Sequence, residues 1–182
     1  ATLDEPGTVA AEWLGPDARI IEVGTQRSID FQCLETGGQN PAQALAEALS
    51  SHDCRKVLVF SNTRNGAHGL AAGLSQSLGK SCWPVYLHIG ILSPSEREQG
   101  EEAMRSNPRA ICVATATLEL GIDIGDLDLI VLAEPPSSIN GFLQRIGRGK
   151  RKPEKCVVWG ICQASTQREQ YNALLHCASR GY

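Results

Sequence analysis

Short apolar runs alternate along this chain with amphipathic segments. The apolar runs have the length and the valine, isoleucine and leucine content of strands that are buried in a parallel sheet. They cover Lys56–Ser61, Trp83–His88, Arg109–Ala114, Leu127–Leu132 and Cys156–Ile161. Because strands that alternate with helices form parallel β-α-β units, the pattern predicts an α/β fold with an open, mostly parallel sheet and helices on both faces.

Capping signals predict where the helices begin and end. Asn40-Pro41 is a cap and first-turn pair before Ala42–Leu49. Ser93-Pro94-Ser95-Glu96 is a capping box that opens a polar helix reaching about Ser106. Three further helices are predicted in the same way: Asn65–Leu78, ended by Gly79; Ile139–Gly147, capped by Ser137 or Ser138; and Thr166–Cys177, capped by Ser165.

The first forty residues follow a different pattern. Gly7–Leu14 is predicted to be a short helix. Arg19–Val23 and Ser28–Cys33, separated by a short turn, predict a hairpin with one apolar face formed by Ile29, Phe31 and Cys33. The α/β fold is therefore expected to carry an N-terminal hairpin or extra strands.

Composition restricts the environment of the chain. Its 182 residues, 42% of them apolar, are enough for the core of one domain. No apolar run approaches the roughly 18 residues of a membrane span, and the acidic start at Asp4 and Glu5 does not resemble a signal peptide. We therefore expect a cytoplasmic protein. The seven cysteines form no C-x-x-C pair, which favours reduced, mostly buried thiols over disulfides or metal ligands.

Charge is distributed unevenly. A net charge of −3 and a pI near 5.8 argue against a free-standing nucleic-acid binder, which usually carries a concentrated basic face. Residues 145–155 nevertheless contain six basic residues and one acidic residue. Such a cluster is commonly a solvated face, but its position after a predicted helix makes it a candidate phosphate site.

Four segments resemble motifs of superfamily 2 helicases. Lys56–Arg64 resembles motif IV, and Leu87–Ser93 resembles the His-x-Gly-x-Leu-Ser segment that follows motif IV in many members. Ile111–Asp123 resembles motif V, and Gln144–Arg151 resembles motif VI. Within motif V, the sequence Leu-Glu-Leu-Gly-Ile-Asp-Ile at 118–124 most resembles the Lhr-like branch of DNA helicases.

The resemblance implies a RecA-like three-layer sandwich, the second of two motor domains. In this superfamily ATP and Mg²⁺ bind between the domains, and the first domain supplies the P-loop and the acidic magnesium ligands. Neither element occurs in this sequence. Gly79-Lys80-Ser81 is not a P-loop, because it follows a predicted helix and lacks the correctly spaced glycine. The sequence also lacks an Asp-Glu-x-Asp or Asp-Glu-x-His element. The expected function is the C-terminal motor domain of an ATP-dependent helicase, inactive as an isolated fragment.

The resemblance also predicts domain limits and partners. Ala1-Thr2-Leu3 resembles the end of motif III, so residues 1–17 are expected to be the tail of the first domain or a linker, and residues 18–182 the C-terminal domain. Its partners would be that first domain and single- or double-stranded nucleic acid, with DNA favoured over RNA. The alternative function is a non-catalytic module with a RecA-like fold that binds nucleic acid or protein.

Motif VI contains the candidate catalytic residues. A guanidinium group presents paired N–H donors to the charge that gathers on a transferring phosphoryl group. On a helix, Gln144, Arg148 and Arg151 would share one face, and Arg145 would point elsewhere. The resemblance makes Arg148 and Arg151 arginine fingers with Gln144 beside them. Lys150 stands where the family has glycine, so Lys150 or Lys152 is an alternative to Arg151.

Motifs IV and V supply the remaining candidates. Three residues are candidates for binding the cofactor: Gly121, Asp123 and Arg145. Gly121 permits close approach of the backbone, and Asp123 can accept hydrogen bonds from ribose hydroxyls. The resemblance implies that Arg145 braces motif V by an ion pair. Candidate contacts to nucleic-acid phosphates are Ser61, Asn62, Arg64, His88, Thr115 and Thr117. For Ser61, Asn62 and Arg64 the alternative is a role in capping the next helix. For His88 it is an ordinary position at a strand end.

Overall fold

The fold comes from a computed structural model that describes residues 6–17, 29–79, 83–115, 127–149 and 156–180. The strands in these ranges are β1 (Ile29–Glu35), β2 (Lys56–Phe60), β3 (Val85–His88), β4 (Ala110–Ala114), β5 (Leu129–Leu132) and β6 (Cys156–Cys162). The helices are α1 (Pro6–Leu14), α2 (Pro41–Ser50), α3 (Arg64–Leu78), α4 (Pro94–Ser106), α5 (Ile139–Ile146) and α6 (Ser165–Ser179).

The six strands form one sheet in the order β1-β6-β5-β2-β4-β3, and all of their pairings are parallel. The five strands predicted from the apolar runs are all present. β1 lies at one edge, where Ile29 to Glu35 pair with Cys156 to Cys162 of β6. The first strand of the predicted hairpin, Arg19–Val23, lies outside the described residues, so that pairing stays a prediction.

Alternation along the strands divides the buried side chains between the two faces of the sheet. Val57 and Val59 of β2 belong to a core that includes α2 and α3. Leu58 and Phe60 belong to the opposite core, which includes residues of α4, α5 and α6. The predicted apolar face of β1, formed by Ile29, Phe31 and Cys33, packs against this second core. The predicted three-layer α/β architecture is confirmed.

The predicted caps fix several helix starts. The Asn40 side chain accepts from the Ala42 N–H at 2.9 Å. The Glu96 carboxylate accepts from the Ser93 N–H at 2.9 Å, and Ser93 Oγ accepts from the Glu96 N–H at 3.3 Å. The Ser93 hydroxyl is the main cause that lowers the pKa of Glu96. Of the two serines proposed for α5, Ser138 is the cap.

One predicted cap is wrong. Ser165 is the first residue of α6 rather than its cap, and Ala164 occupies the cap position. The Gln167 side-chain oxygen instead reaches back and accepts from the N–H groups of Gln163 at 2.7 Å and Ala164 at 3.3 Å. Glutamine at the third helical position thus provides the acceptor that alanine lacks.

The cysteines of the described residues agree with the expected burial. Cys54, Cys112 and Cys162 are buried and Cys33 and Cys177 half-buried, all with free thiols. Burial is the main cause that raises the pKa of Cys54 to about 11 and that of Cys112 to about 12. Within the described ranges, no helix combines the length and apolar character needed to cross a membrane.

Replacing Gly160 of β6 with alanine should destabilise the domain. An added Cβ would lie 2.6 Å from Phe31 Cζ and 2.7 Å from Tyr171 Cε2, and Tyr171 is fixed because its hydroxyl donates to the Leu132 carbonyl at 2.8 Å. Overpacking of this kind costs about 1–3 kcal/mol. Urea unfolding of G160A measures the loss of unfolding free energy.

Gly69→Ala is the matched control. Gly69 lies inside α3, where an added Cβ meets no described atom within 4 Å. Alanine should stabilise that helix by about 0.5–1 kcal/mol. Equal effects of the two substitutions would contradict the packing around Gly160.

Candidate functional site at the carboxyl edge of the sheet

β2 and β5 are neighbours in the middle of the sheet, and the chain leaves them in opposite directions. β2 continues to β3 at one edge, and β5 continues to β6 on the other side. The loops that follow these two strands therefore diverge and leave a crevice at their carboxyl ends. Open α/β sheets bind ligands at such a topological switch point.

Glu134, directly after β5, joins the loop after β5 to the end of β2. One carboxylate oxygen accepts from the Asn62 N–H at 2.8 Å, and the other accepts from the Ser61 hydroxyl at 3.3 Å. Ser61 is fully buried, so its hydroxyl requires protein partners. No motif distinguishes Glu134 in the sequence. Its one signal is its place between a buried strand and Pro135-Pro136.

Arg145 of α5 reaches the same point from the other side. It is 6% exposed, and its guanidinium lies 5.4 Å from the centroid of the Phe60 ring. It donates to Asn62 Oδ1 at 2.8 Å, while the amide nitrogen of Asn62 donates to the Pro135 carbonyl at 2.9 Å. We call Ser61, Asn62, Glu134 and Arg145 the strand-end cluster.

The strand-end cluster changes the interpretation of motif IV. The side chains of Ser61 and Asn62, both predicted as nucleic-acid contacts or helix caps, make hydrogen bonds within the protein. The cap of α3 is Thr63, whose hydroxyl accepts from the Gly66 N–H at 3.0 Å. The predicted capping role of Ser61, Asn62 and Arg64 is therefore wrong. Arg64 is the first residue of α3 and is exposed, so it stays a candidate contact.

Motif VI is helical over only part of its length. α5 ends at Ile146, after which Arg148 N donates to the Arg145 carbonyl at 3.2 Å and Gly149 N donates to the Ile146 carbonyl at 3.1 Å. The prediction that Gln144, Arg148 and Arg151 share one face of a helix is thus wrong for Arg148, which lies in a turn after the helix has ended. The segment Gly147-Arg148-Gly149 explains the early end, because glycine is a poor helix former.

Gln144 and Arg148 are half-buried, in contrast to Arg145. Arg145 contacts Asn62 and Phe60, whereas the directions of the Gln144 and Arg148 side chains relative to it stay a prediction. Anchoring of Arg145 fixes the end of α5 beside the switch point, and Arg148 follows three residues later.

His88 is the last residue of β3, and Thr115 directly follows β4 at the same edge of the sheet. His88 is 2% exposed, and its Nε2 lies 3.1 Å from a carboxylate oxygen of Glu101 in α4. Thr115 is 8% exposed, and its N–H donates to the His88 carbonyl at 3.4 Å. The burial of His88 against α4 favours the strand-end interpretation over a phosphate contact.

Several predicted site residues lie outside the described residues. They are Thr117, Gly121 and Asp123 of motif V and Arg151 of motif VI, together with Lys150 and Lys152. The ribose contact of Asp123, the ion pair that braces motif V and the choice between Arg151 and the lysines stay predictions.

Residues 40–152 match the family described as the helicase conserved C-terminal domain. The chain belongs to this family. The match begins at the cap of α2 and covers the strand-end cluster and the turn that carries Arg148. The membership predicted from motifs IV, V and VI is confirmed.

Curated relatives place this helicase domain in the Lhr branch of superfamily 2. It is 31% identical over 163 residues to the ATP-dependent helicase Lhr-Core of Methanocaldococcus jannaschii, covering 82% of this chain and 19% of the relative. It is 40% identical over 104 residues to ATP-dependent helicase Lhr-Core protein 2 of Thermococcus barophilus, covering 57% of this chain and 12% of the relative. The helicase domain thus spans a fifth or less of either relative.

A solved structure shows the same fold. Mycobacterium smegmatis helicase Lhr bound to ssDNA and AMP-PNP aligns with a TM-score of 0.78 at 23% identity, covering 97% of this chain and 25% of that one. The helicase MrfA bound to DNA and AMPPNP aligns with a TM-score of 0.70 at 20% identity, covering 97% and 26%. The RecA-like fold is confirmed.

Glu134→Gln should destabilise the helicase domain by about 1–3 kcal/mol. Glutamine keeps the length of the side chain, but it is neutral and has one acceptor oxygen, so it loses the charge-assisted hydrogen bond to either the Asn62 N–H or the Ser61 hydroxyl. Urea unfolding measures the change in unfolding free energy.

The matched control is Glu102→Gln. Glu102 also accepts hydrogen bonds, from Arg105, but its side chain is 66% exposed. Exposed pairs of this kind contribute about 0–1 kcal/mol. If E134Q is as stable as E102Q, the strand-end cluster does not hold the two loops together.

Proposed function

We propose that this helicase domain is the second motor domain of an ATP-dependent helicase that acts on nucleic acid, with DNA as its substrate. The observation that carries the proposal is the anchoring of Arg145 by Asn62 and Phe60. It ties motif VI to the end of motif IV at the switch point and positions Arg148 near the carboxyl edge. A domain that only binds a partner has no chemical need for an arginine finger such as Arg148.

The chemistry of Arg148 and Gln144 fits a phosphate group. Guanidinium and carboxamide groups present N–H donors, and neither adds the negative charge that would repel phosphate oxygens. ATP, when bound, supplies the γ-phosphoryl group whose developing charge Arg148 stabilises. The P-loop and the acidic residues for Mg²⁺ belong to a preceding domain, so the 182-residue chain is inactive by itself.

Nucleic acid is proposed to lie along the same edge. Arg64 is exposed at the start of α3, and Thr115 directly follows β4 within the segment that resembles motif V. Contacts from such residues to phosphates position a strand without reading its bases. The preference for DNA rests on the relatives, because the Lhr and MrfA structures contain DNA.

Arg148→Ala, in a protein extended to include the preceding motor domain, should lower ATP turnover by about 10³-fold or more, as expected for loss of an arginine finger. Binding to single-stranded DNA should persist, since that contact uses other residues. Steady-state ATP hydrolysis and fluorescence anisotropy measure the two properties.

Arg105→Ala controls for loss of a positive charge. Arg105 is 46% exposed and pairs with Glu102 at 3.0 Å on α4, so its removal should leave turnover unchanged. The 182-residue chain alone provides the baseline without a P-loop. Turnover intact in R148A would exclude Arg148 as an arginine finger, and absence of turnover in the unmodified extended protein would favour the binding module.

Arg64→Ala in the same extended protein should weaken DNA binding and reduce the slope of log affinity against log salt concentration by about 1. ATP hydrolysis without DNA should not change. Arg55→Ala is the control, because Arg55 is exposed but precedes β2 and therefore lies at the amino edge of the sheet. Equal salt slopes for R64A and R55A would place the DNA elsewhere.

A further inference from the structure

Two thiols and a carboxylate meet on one face of the edge strand β1 and its neighbour β6. Glu35 pairs with Cys162, and Cys33 pairs with Gly160 two residues earlier, so Cys33, Glu35 and Cys162 point to the same side. One ligand atom of each lies within 4.8 Å of the others. This group is at the carboxyl end of the sheet, separated from β2 by β5, and has no role in the proposed helicase chemistry.

The donor set is selective in chemical terms. Thiolate sulfur prefers soft or borderline cations such as Zn²⁺, Cd²⁺ and Cu⁺ over Mg²⁺ or Ca²⁺. In a tetrahedral zinc site with bonds of about 2.3 Å to sulfur and 2.0–2.2 Å to oxygen, ligand atoms are about 3.5–3.8 Å apart. Because all three ligand atoms lie within 4.8 Å of one another, that spacing requires a contraction of at most about 1.3 Å, which side-chain rotation can supply.

We propose that Cys33, Glu35 and Cys162 form a binding site for one thiophilic divalent cation, with zinc as the natural occupant. Three protein ligands leave the fourth tetrahedral position for water. This site revises the expectation that the cysteines have no metal role. The cation would also tie β1, the strand added at the sheet edge, to β6.

Arg168 of α6 supports the carboxylate ligand. Its Nε donates to one carboxylate oxygen of Glu35 at 3.0 Å, and its Nη2 donates to that same oxygen. The second oxygen lies outside this pair, so Glu35 can keep Arg168 while it binds a cation. Groups that orient a metal ligand in this way commonly raise metal affinity.

Binding of a cation by both sulfurs requires the two thiols to lose their protons. Burial, followed by a hydrogen bond with Cys33, raises the pKa of Cys162 to about 12. Coordination of a divalent cation by both sulfurs breaks two S–H bonds, forms two metal–sulfur bonds and releases two protons to solvent. The cation is neither oxidised nor reduced.

Cadmium titration of the reduced, metal-free 182-residue chain tests the site. Cd²⁺ takes the place of zinc and gives an ultraviolet charge-transfer band when thiolates bind it. We expect one Cd²⁺ per chain in calorimetry, the charge-transfer band, and competition by Zn²⁺. Cys33→Ser and Cys162→Ser should each abolish this event, and Glu35→Gln should weaken it while the band remains.

Cys112→Ser is the matched control, because Cys112 is also buried in a strand but belongs to no group of candidate ligands in the described ranges. It should bind Cd²⁺ like the unmodified chain. Should the serine variants fail to fold, alkylation of the unmodified chain with mass spectrometry gives the answer, since Zn²⁺ should protect Cys33 and Cys162 more than Cys177. Three results would contradict the proposed metal site: no Cd²⁺ binding, binding that persists in both serine variants, or equal protection of all thiols by Zn²⁺.

Discussion

The contact between Glu134 and the end of β2 is the interaction on which the arrangement of the site depends. Parallel sheets bring the carboxyl ends of their strands to one edge, but the loops at a switch point run apart. Glu134 closes that divergence by accepting hydrogen bonds from both Ser61 and Asn62. Asn62 in turn accepts from the guanidinium of Arg145. A carboxylate and a guanidinium thus act from opposite sides on one short turn, although 83 positions separate Asn62 from Arg145.

In the proposed function the two arginines of motif VI have different roles. Arg145 is buried, and its position is fixed by the side-chain amide oxygen of Asn62 and the face of the Phe60 ring. Arg148 is half-buried in the turn after α5. A side chain that must meet a ligand benefits from a rigid neighbour that does not move, which preorganises it for the charge it stabilises. The early end of α5 at Gly147 supports this division, because it separates the anchored residue from the one near the surface.

Residues with a local physical signal could be predicted from the sequence. Apolar runs such as Lys56–Phe60 and Ala110–Ala114 gave the strands, and Asn40, Ser93 and Ser138 gave the helix starts, because capping depends on residues within a few positions of each other. Glu134 could not be predicted, since its partners lie more than 70 positions away. The positions of Ser61 and Asn62 depend on that same distant contact. The predicted extension of the α5 helix failed for a local reason, the paired glycines around Arg148, which outweighed the helical spacing of the motif.

The net charge of −3 is compatible with the proposed role at nucleic acid, because the charge is distributed unevenly along the sequence. Cations in this protein are concentrated in residues 145–155, directly after the anchored end of α5, whereas the remainder of the chain is acidic. Electrostatic attraction is screened within about 8–10 Å at physiological salt, so phosphates respond to the local cluster rather than to the total. In the proposed function the P-loop domain holds most of the ATP phosphates, so a local group of basic residues is enough for this domain.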